Sequence, residues 1–216
     1  MTEKSLFLVI SILLLISVLI LSSLLKDLFP VYFLYIFISI LAFVIFSRID
    51  FDIYRPFSIY IYLGSIMLFI LPLIVGQVTR GTFRWISIGS LNFQTTEIAK
   101  PFLLLFFAIF FATEKTNLKR LVIGFILLLL PLVLIFLQPS LGVSILTFVG
   151  FLGVILGSSV KKKYVGIFLI IVFLLIPLVW VVLAPYQKTR LTSFAFPESD
   201  LTGAGYHSLQ SAIAVG

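Results

Sequence analysis

Seven stretches of this chain are too apolar to face water, and they decide what it can fold into. They lie at about 5–25, 29–47, 57–76, 98–112, 121–137, 142–157 and 164–183. Each approaches the roughly 20 apolar residues that an α-helix needs to cross the hydrocarbon core of a bilayer. The runs are continuously apolar, not alternating, and open sheet edges cannot stand in lipid, so spanning strands are excluded. The composition agrees: 62% of residues are hydrophobic and 11% charged, against roughly half and a quarter in soluble domains. A mean hydropathy of +1.28 leaves no polar surface with which to cover a water-soluble core. The predicted fold is all-α, a polytopic transmembrane helix bundle forming a single membrane domain over 1–216, with about seven spanning helices. The first run is too long for a signal-peptide core and has no small-residue cleavage site after it, so it is predicted to remain as a helix. Gly142, Gly150, Gly153 and Gly157 in the sixth run are expected to let neighbouring helices approach closely.

The net charge of +7 does not point to nucleic acid. The basic residues sit in short clusters between apolar runs and form no continuous basic face; their placement instead sets orientation. With the N-terminus inside, nine fall on the inner side: Lys4, Arg48, Arg55, Lys115, Lys119, Arg120 and the run Lys161 to Lys163. Six fall outside: Lys26, Arg80, Arg84, Lys100, Lys188 and Arg190. The N-terminus is therefore predicted to be cytoplasmic. The chain has no cysteine, which removes disulfides and thiolate metal sites.

Two connections carry most of the polar chemistry, and this orientation places both on the extracytoplasmic side. The first, 77–97, contains Gly81, Arg84, Trp85, Gly89, Asn92 and Phe93. At its end, Glu97 and Lys100 are three residues apart and share a face on a helix, as paired charges at a membrane boundary often do. The alternative is that Lys100 snorkels to the interface and Trp85 joins the aromatic belt. The second, 184–216, holds Lys188, Arg190, Glu198, Asp200, the single histidine His207, and Gln210. After Tyr206, the residues Leu209, Ala212 and Ile213 recur at helical spacing and predict a short amphipathic helix. Glu198 and Asp200 resemble an acid/base pair, but two residues apart beside a proline they more often cap a turn. His207 could titrate near neutrality or serve as a structural hydrogen-bonding residue. Between the fifth and sixth runs, Gln138 and Pro139 make a sharp turn. The Gln138 amide can be offered to a neighbour or to a sugar-like ligand; the alternative is that the segment is simply a helix-breaking turn. No phosphate-cradling loop, nucleophile elbow or zinc-protease motif is present.

Three stretches together resemble the SEDS family (shape, elongation, division and sporulation proteins). Gly81, Arg84, Trp85, Ile86, Gly89, Phe93, Gln94, Glu97, Ile98, Ala99 and Lys100 follow one family pattern. The turn QPSLG (Gln138 to Gly142) follows a second, and the run from Tyr186 to Gly216 follows a third. The resemblance implies a ten-helix scaffold, of which this chain would be the N-terminal portion. It also implies polymerisation of lipid II, an undecaprenyl-pyrophosphate-linked glycan precursor, in the bacterial cytoplasmic membrane beside a class B penicillin-binding transpeptidase. On that resemblance the substrate-binding candidates are Arg84, Trp85, Glu97, Lys100, Gln138, Arg190, Tyr206, His207 and Gln210. Arg84, Lys100 and Arg190 would be suited to pyrophosphate. Gln138 and His207 favour the elongation branch, whereas Arg190 to Phe194 lean towards the division branch. Ser140 stands where the family has Asp, Thr95 and Thr96 where it has Pro-Ser, and Leu201 and Thr202 replace its Pro-x pair. The family's proposed catalytic Asp falls beyond Gly216, so no residue here is assigned as catalytic, and this chain alone is expected to be inactive. No cofactor is predicted, and a divalent cation is left open. Two other functions fit the same residues. One is a flippase or transporter of lipid-linked precursors, although the charges gather at one face, not at the midplane. The other is a non-catalytic docking partner for a transpeptidase.

Overall fold

A computed structural model describes residues 3–24, 29–75, 77–79, 82–88, 91–113, 117–138, 140–196 and 206–215. Each of the seven apolar runs carries a helix. α1 spans Glu3–Leu24 and α2 spans Phe29–Ser47; a short α3 (Phe51–Tyr54) and a 3-10 turn (Arg55–Phe57) then lead into α4 (Ser58–Val75). Next come α5 (Thr95–Ala112), α6 (Leu118–Leu137), α7 (Leu141–Gly157) and α8 (Lys162–Val182). Two shorter helices follow, α9 (Pro185–Ala195) and α10 (Tyr206–Val215).

Local sequence sets the helix ends. The Asn117 side chain accepts from the Arg120 N–H at 2.9 Å and caps α6. Pro185 opens α9 where its missing N–H is harmless, and Gln187 Oε1 accepts from the Ala184 N–H at 3.0 Å. Between α5 and α6, Arg120 donates through Nε (2.8 Å) and Nη2 to the carbonyl of Phe110. Its guanidinium also lies 4.5 Å from the centre of the Phe110 ring. That carbonyl belongs to the last turn of α5, where intrahelical donors run out.

The core sits between α4, α5, α6 and α7, with Phe69, Leu103, Phe107, Leu128, Ile135 and Phe151 all fully buried. Phe107 meets Phe151 edge-on at 4.7 Å, and Phe168 of α8 joins through Phe125 at 5.1 Å. Pro72 of α4 and Pro131 of α6 each remove a ladder donor. The two helices then support one another across these breaks. Tyr62 on α4 donates to the carbonyl of Leu127, four residues before Pro131, at 2.9 Å. Gln138 donates to the carbonyl of Phe69, three residues before Pro72, at 2.6 Å. Pro131 frees the Leu127 carbonyl, and taking a donor from a neighbouring helix is how membrane helices tolerate internal proline. Pro72 frees the carbonyl of Leu68 instead, so the Gln138 bond to Phe69 is an added tie close to that break.

The glycine expectation needs correction. A Cβ at Gly150 would meet Leu104 Cδ1 at 2.8 Å, but Gly142, Gly153 and Gly157 have nothing within 4 Å. The tighter site is Gly124 on α6, where a Cβ would come within 2.5 Å of the Phe111 ring.

The outward faces are apolar: Met67 and Ile74 of α4 are 71% and 75% exposed. Apolar faces so widely exposed along successive helices call for lipid or partner cover. Among the described residues, Phe51–Val75, Thr95–Ala112, Leu118–Leu137 and Lys162–Val182 are long and apolar enough to cross a membrane. Phe7–Ser23, Val31–Ser47 and Leu141–Gly157 are shorter apolar segments. The molecule is a multi-pass helical membrane protein.

The connection between α4 and α5 is folded, which the all-α reading did not anticipate. β1 (Gln77–Thr79), β2 (Thr82–Ile88) and β3 (Leu91–Gln94) form an antiparallel sheet in the order β1-β2-β3. β2 contacts both α4 and α5, so the sheet caps the paired ends of these helices. β3 runs directly into α5.

Candidate functional site

The β2–β3 register builds the site. Trp85 lies opposite Gln94, and Ile86, Ser87 and Ile88 lie opposite Phe93, Asn92 and Leu91. Gln94 is the residue from which α5 starts. Pairing therefore sets Trp85 beside the α5 N-terminus, with Arg84 next to it on the same strand. Trp85 is 37% exposed. Ser87 Oγ donates to Asn92 Oδ1 at 2.6 Å, tying β2 to β3 beyond the backbone ladder.

On the first turns of α5, Lys100 Nζ pairs with Glu97 Oε2 at 2.7 Å. The Lys100 side chain is 15% exposed and that of Glu97 49%. The ammonium thus sits in a largely protein-lined place with its carboxylate partner nearer solvent. Glu97 also favours the positive end of the helix dipole. Pro101 lies inside α5 and cannot donate to the carbonyl of Glu97, which adds an acceptor to this polar turn. Thr95 and Thr96 are buried, and their hydroxyls have no hydrogen-bond partner among the described residues. The arrangement can hold an anion through Lys100 and stack a ring or sugar face on Trp85.

Gln138 is placed differently. It is completely buried, and its amide goes to Phe69, so it holds α4 to the end of α6. Ser140 beside it is also buried, and its carbonyl receives the Ser144 N–H at 3.0 Å. Arg190 lies on α9 and His207 on α10. Tyr206 and Gln210 are exposed on α10, one turn apart. Neither α9 nor α10 packs extensively on another described element. The site proper is therefore β2, β3 and the start of α5. Lys26, Arg80, Gly81, Gly89, Lys115, Pro139, Glu198 and Asp200 lie outside the described residues. Among the described residues no cluster of His, Asp or Glu could hold a metal ion.

Sequence reasoning missed Gln187, buried at the start of α9, and Tyr62; for Gln138 it left open a neighbour or a ligand, and the structure shows the neighbour. It treated Arg120 only as an orientation charge. The signal for Tyr62 was present in Pro131, which frees the Leu127 carbonyl for a side chain to meet.

A membrane helix bundle with a small polar sheet closing one end defines the class. Within that class, the chain belongs to the FtsW/RodA/SpoVE family of cell cycle proteins, whose family model matches residues 2–216. It is 36% identical over 154 residues to the peptidoglycan glycosyltransferase MrdB of Escherichia coli K12, covering 70% of this chain and 42% of that one. It is 34% identical over 158 residues to the probable peptidoglycan glycosyltransferase FtsW of Idiomarina loihiensis, covering 71% and 38%. A solved chain from a peptidoglycan synthase complex that coordinates polymerization and crosslinking superposes with a TM-score of 0.82 at 26% identity. That superposition covers 99% of this chain and 65% of the other. The chain spans about two fifths of the length of these curated relatives.

Proposed function

We propose that this chain forms part of a peptidoglycan glycosyltransferase and binds the lipid-linked glycan at the sheet-capped end of the bundle. The observation that carries the proposal is the Glu97–Lys100 pair beneath the strand bearing Arg84 and Trp85. The family membership and the names of the relatives support the reaction type. In that reaction the sugar 4-hydroxyl of one lipid II attacks C1 of the growing chain. The C1–oxygen bond to undecaprenyl pyrophosphate breaks, and the hydroxyl proton passes to a carboxylate base. Lys100 and Arg84 would hold the pyrophosphate, Glu97 would orient Lys100, and Trp85 would bound the sugar. Glu97 is already engaged by Lys100, so the described residues bind and orient and do not transfer the proton. Arg190, Tyr206, His207 and Gln210 would extend the binding surface, and Gln138 would support it from below through Phe69.

The proposal includes a cytoplasmic N-terminus, which puts the sheet on the extracytoplasmic side where lipid II is consumed. It also includes a role in cell elongation, favoured by Gln138 and His207, and a transpeptidase partner. The latter is supported by the crosslinking function of the complex that contains the similar solved chain. The test is binding of lipid II to the purified chain in nanodiscs. Lys100→Ala should weaken binding at least about tenfold, with the melting temperature nearly unchanged. Equal binding by wild type and K100A would overturn the assignment.

A further inference from the structure

The sheet is fastened at a second point, outside the helices it connects. Tyr35 lies on α2, and its phenol oxygen meets the backbone of Asn92 twice. It accepts from the Asn92 N–H at 2.8 Å and donates to the Asn92 carbonyl at 3.2 Å. Its ring also meets Phe93 edge-on at 6.3 Å. Asn92 belongs to β3, at the edge of the sheet, and both of its backbone groups face the open side of that strand. The phenol fills the position that another strand's backbone would take, so it satisfies an edge that would otherwise be exposed. Recognition is of backbone, and does not depend on which side chain stands at 92.

α2 is lightly packed on the other described elements. None of its residues with described exposure is buried. It touches the body again where Phe46 meets Phe102 at 5.7 Å and reaches α1 through the Tyr32–Ser17 hydroxyl pair. A specific two-bond contact from so lightly packed a helix cannot be explained as a by-product of core packing. A narrow antiparallel ribbon is marginal alone, and β2 with β3 carries the aromatic and basic residues of the candidate site.

We propose that Tyr35 is a positioning residue: its phenol latches the β2–β3 ribbon to α2 and so fixes the strand bearing Arg84 and Trp85 beside Lys100. The latch itself stands on geometry alone, whereas its effect on ligand binding rests on the proposed function.

The test uses the full chain in nanodiscs with Trp180→Phe, which leaves Trp85 as the sole tryptophan. Tyr35→Phe keeps the ring against Phe93 and removes both hydrogen bonds. Exchange of the Asn92 amide should then accelerate about three- to tenfold, and acrylamide should quench Trp85, one strand away, more strongly. Because the chain has no cysteine, Tyr35→Cys with Asn92→Cys can be joined by a short bis-thiol reagent. Joining them should return Trp85 quenching to the parental value. Unchanged quenching in Y35F, or no recovery in the cross-linked pair, overturns the latch. In the same samples undecaprenyl pyrophosphate serves as the binding probe, read by Trp85 emission. Its affinity should fall about three- to tenfold in Y35F and recover on cross-linking. If the probe binds no form of the protein, the functional reading fails, while the quenching result still decides the latch.

Discussion

At the scale of single residues, the polar groups that matter divide into those that face a ligand and those that hold helices together. Gln138 belongs to the second kind. Its replacement by Leu would fill the same space but remove the bond that ties the Phe69 carbonyl of α4 to the end of α6. The expected loss is about 0.5–1.5 kcal/mol, read by reversible unfolding in mixed micelles, with the Glu97–Lys100 pair unaffected. Arg120 makes a similar case at the opposite end of α5. Lys at that position keeps the charge but cannot fork onto the Phe110 carbonyl or stack flat on its ring. Arg120→Lys should therefore cost about 1–2 kcal/mol. An equal melting temperature would show that the contact is only incidental. The Glu97–Lys100 pairing was readable from spacing because three residues on a helix is a local relation. The Gln138–Phe69 contact was not, because it joins positions 69 residues apart in sequence.

At the scale of elements, hydropathy exposed the helices and concealed the sheet. A spanning helix announces itself by sustained apolarity, as α6 and α8 do. β2 is seven residues long, TFRWISI, and mixes charged and apolar residues in a connection, where the apolar scan has nothing to detect. Its aromatic and β-branched content is a strand signal, but one short segment with no visible partner is weak. α9 was hidden for a related reason, since its eleven residues are largely polar. The glycines show how packing overrides pattern. All four in α7 look equivalent in sequence, yet only Gly150 meets a neighbour, and Gly124 on α6 meets a buried ring. Gly124→Ala should cost about 1–3 kcal/mol through overpacking, because Phe111 is enclosed by Phe110 and Phe151. Gly157→Ala should be neutral or slightly stabilising, since Ala favours helix over Gly by up to about 1 kcal/mol. The two variants measured side by side separate close approach from helix propensity.

At the scale of the whole molecule, topology links the candidate site to the side of the membrane on which it works. The sheet joins α4 to α5, and the crossings α5, α6 and α7 then follow before the basic run Lys161 to Lys163 at the start of α8. Three crossings are an odd number, so the sheet and that run lie on opposite sides. Basic residues are retained on the cytoplasmic side, so the proposed orientation has Lys161 to Lys163 there and the sheet on the extracytoplasmic side. The absence of native cysteine makes this directly measurable with single substitutions at exposed positions, Ser87→Cys on β2 and Lys162→Cys on α8. A membrane-impermeant maleimide should label the first in intact cells and the second only after permeabilisation. Labelling of both without permeabilisation would break the three-crossing argument and with it the helix assignment. The reverse pattern would keep the helices but turn the molecule over. The sheet would then face the side where lipid-linked precursors are made, and a translocating function would fit that placement better than a polymerising one.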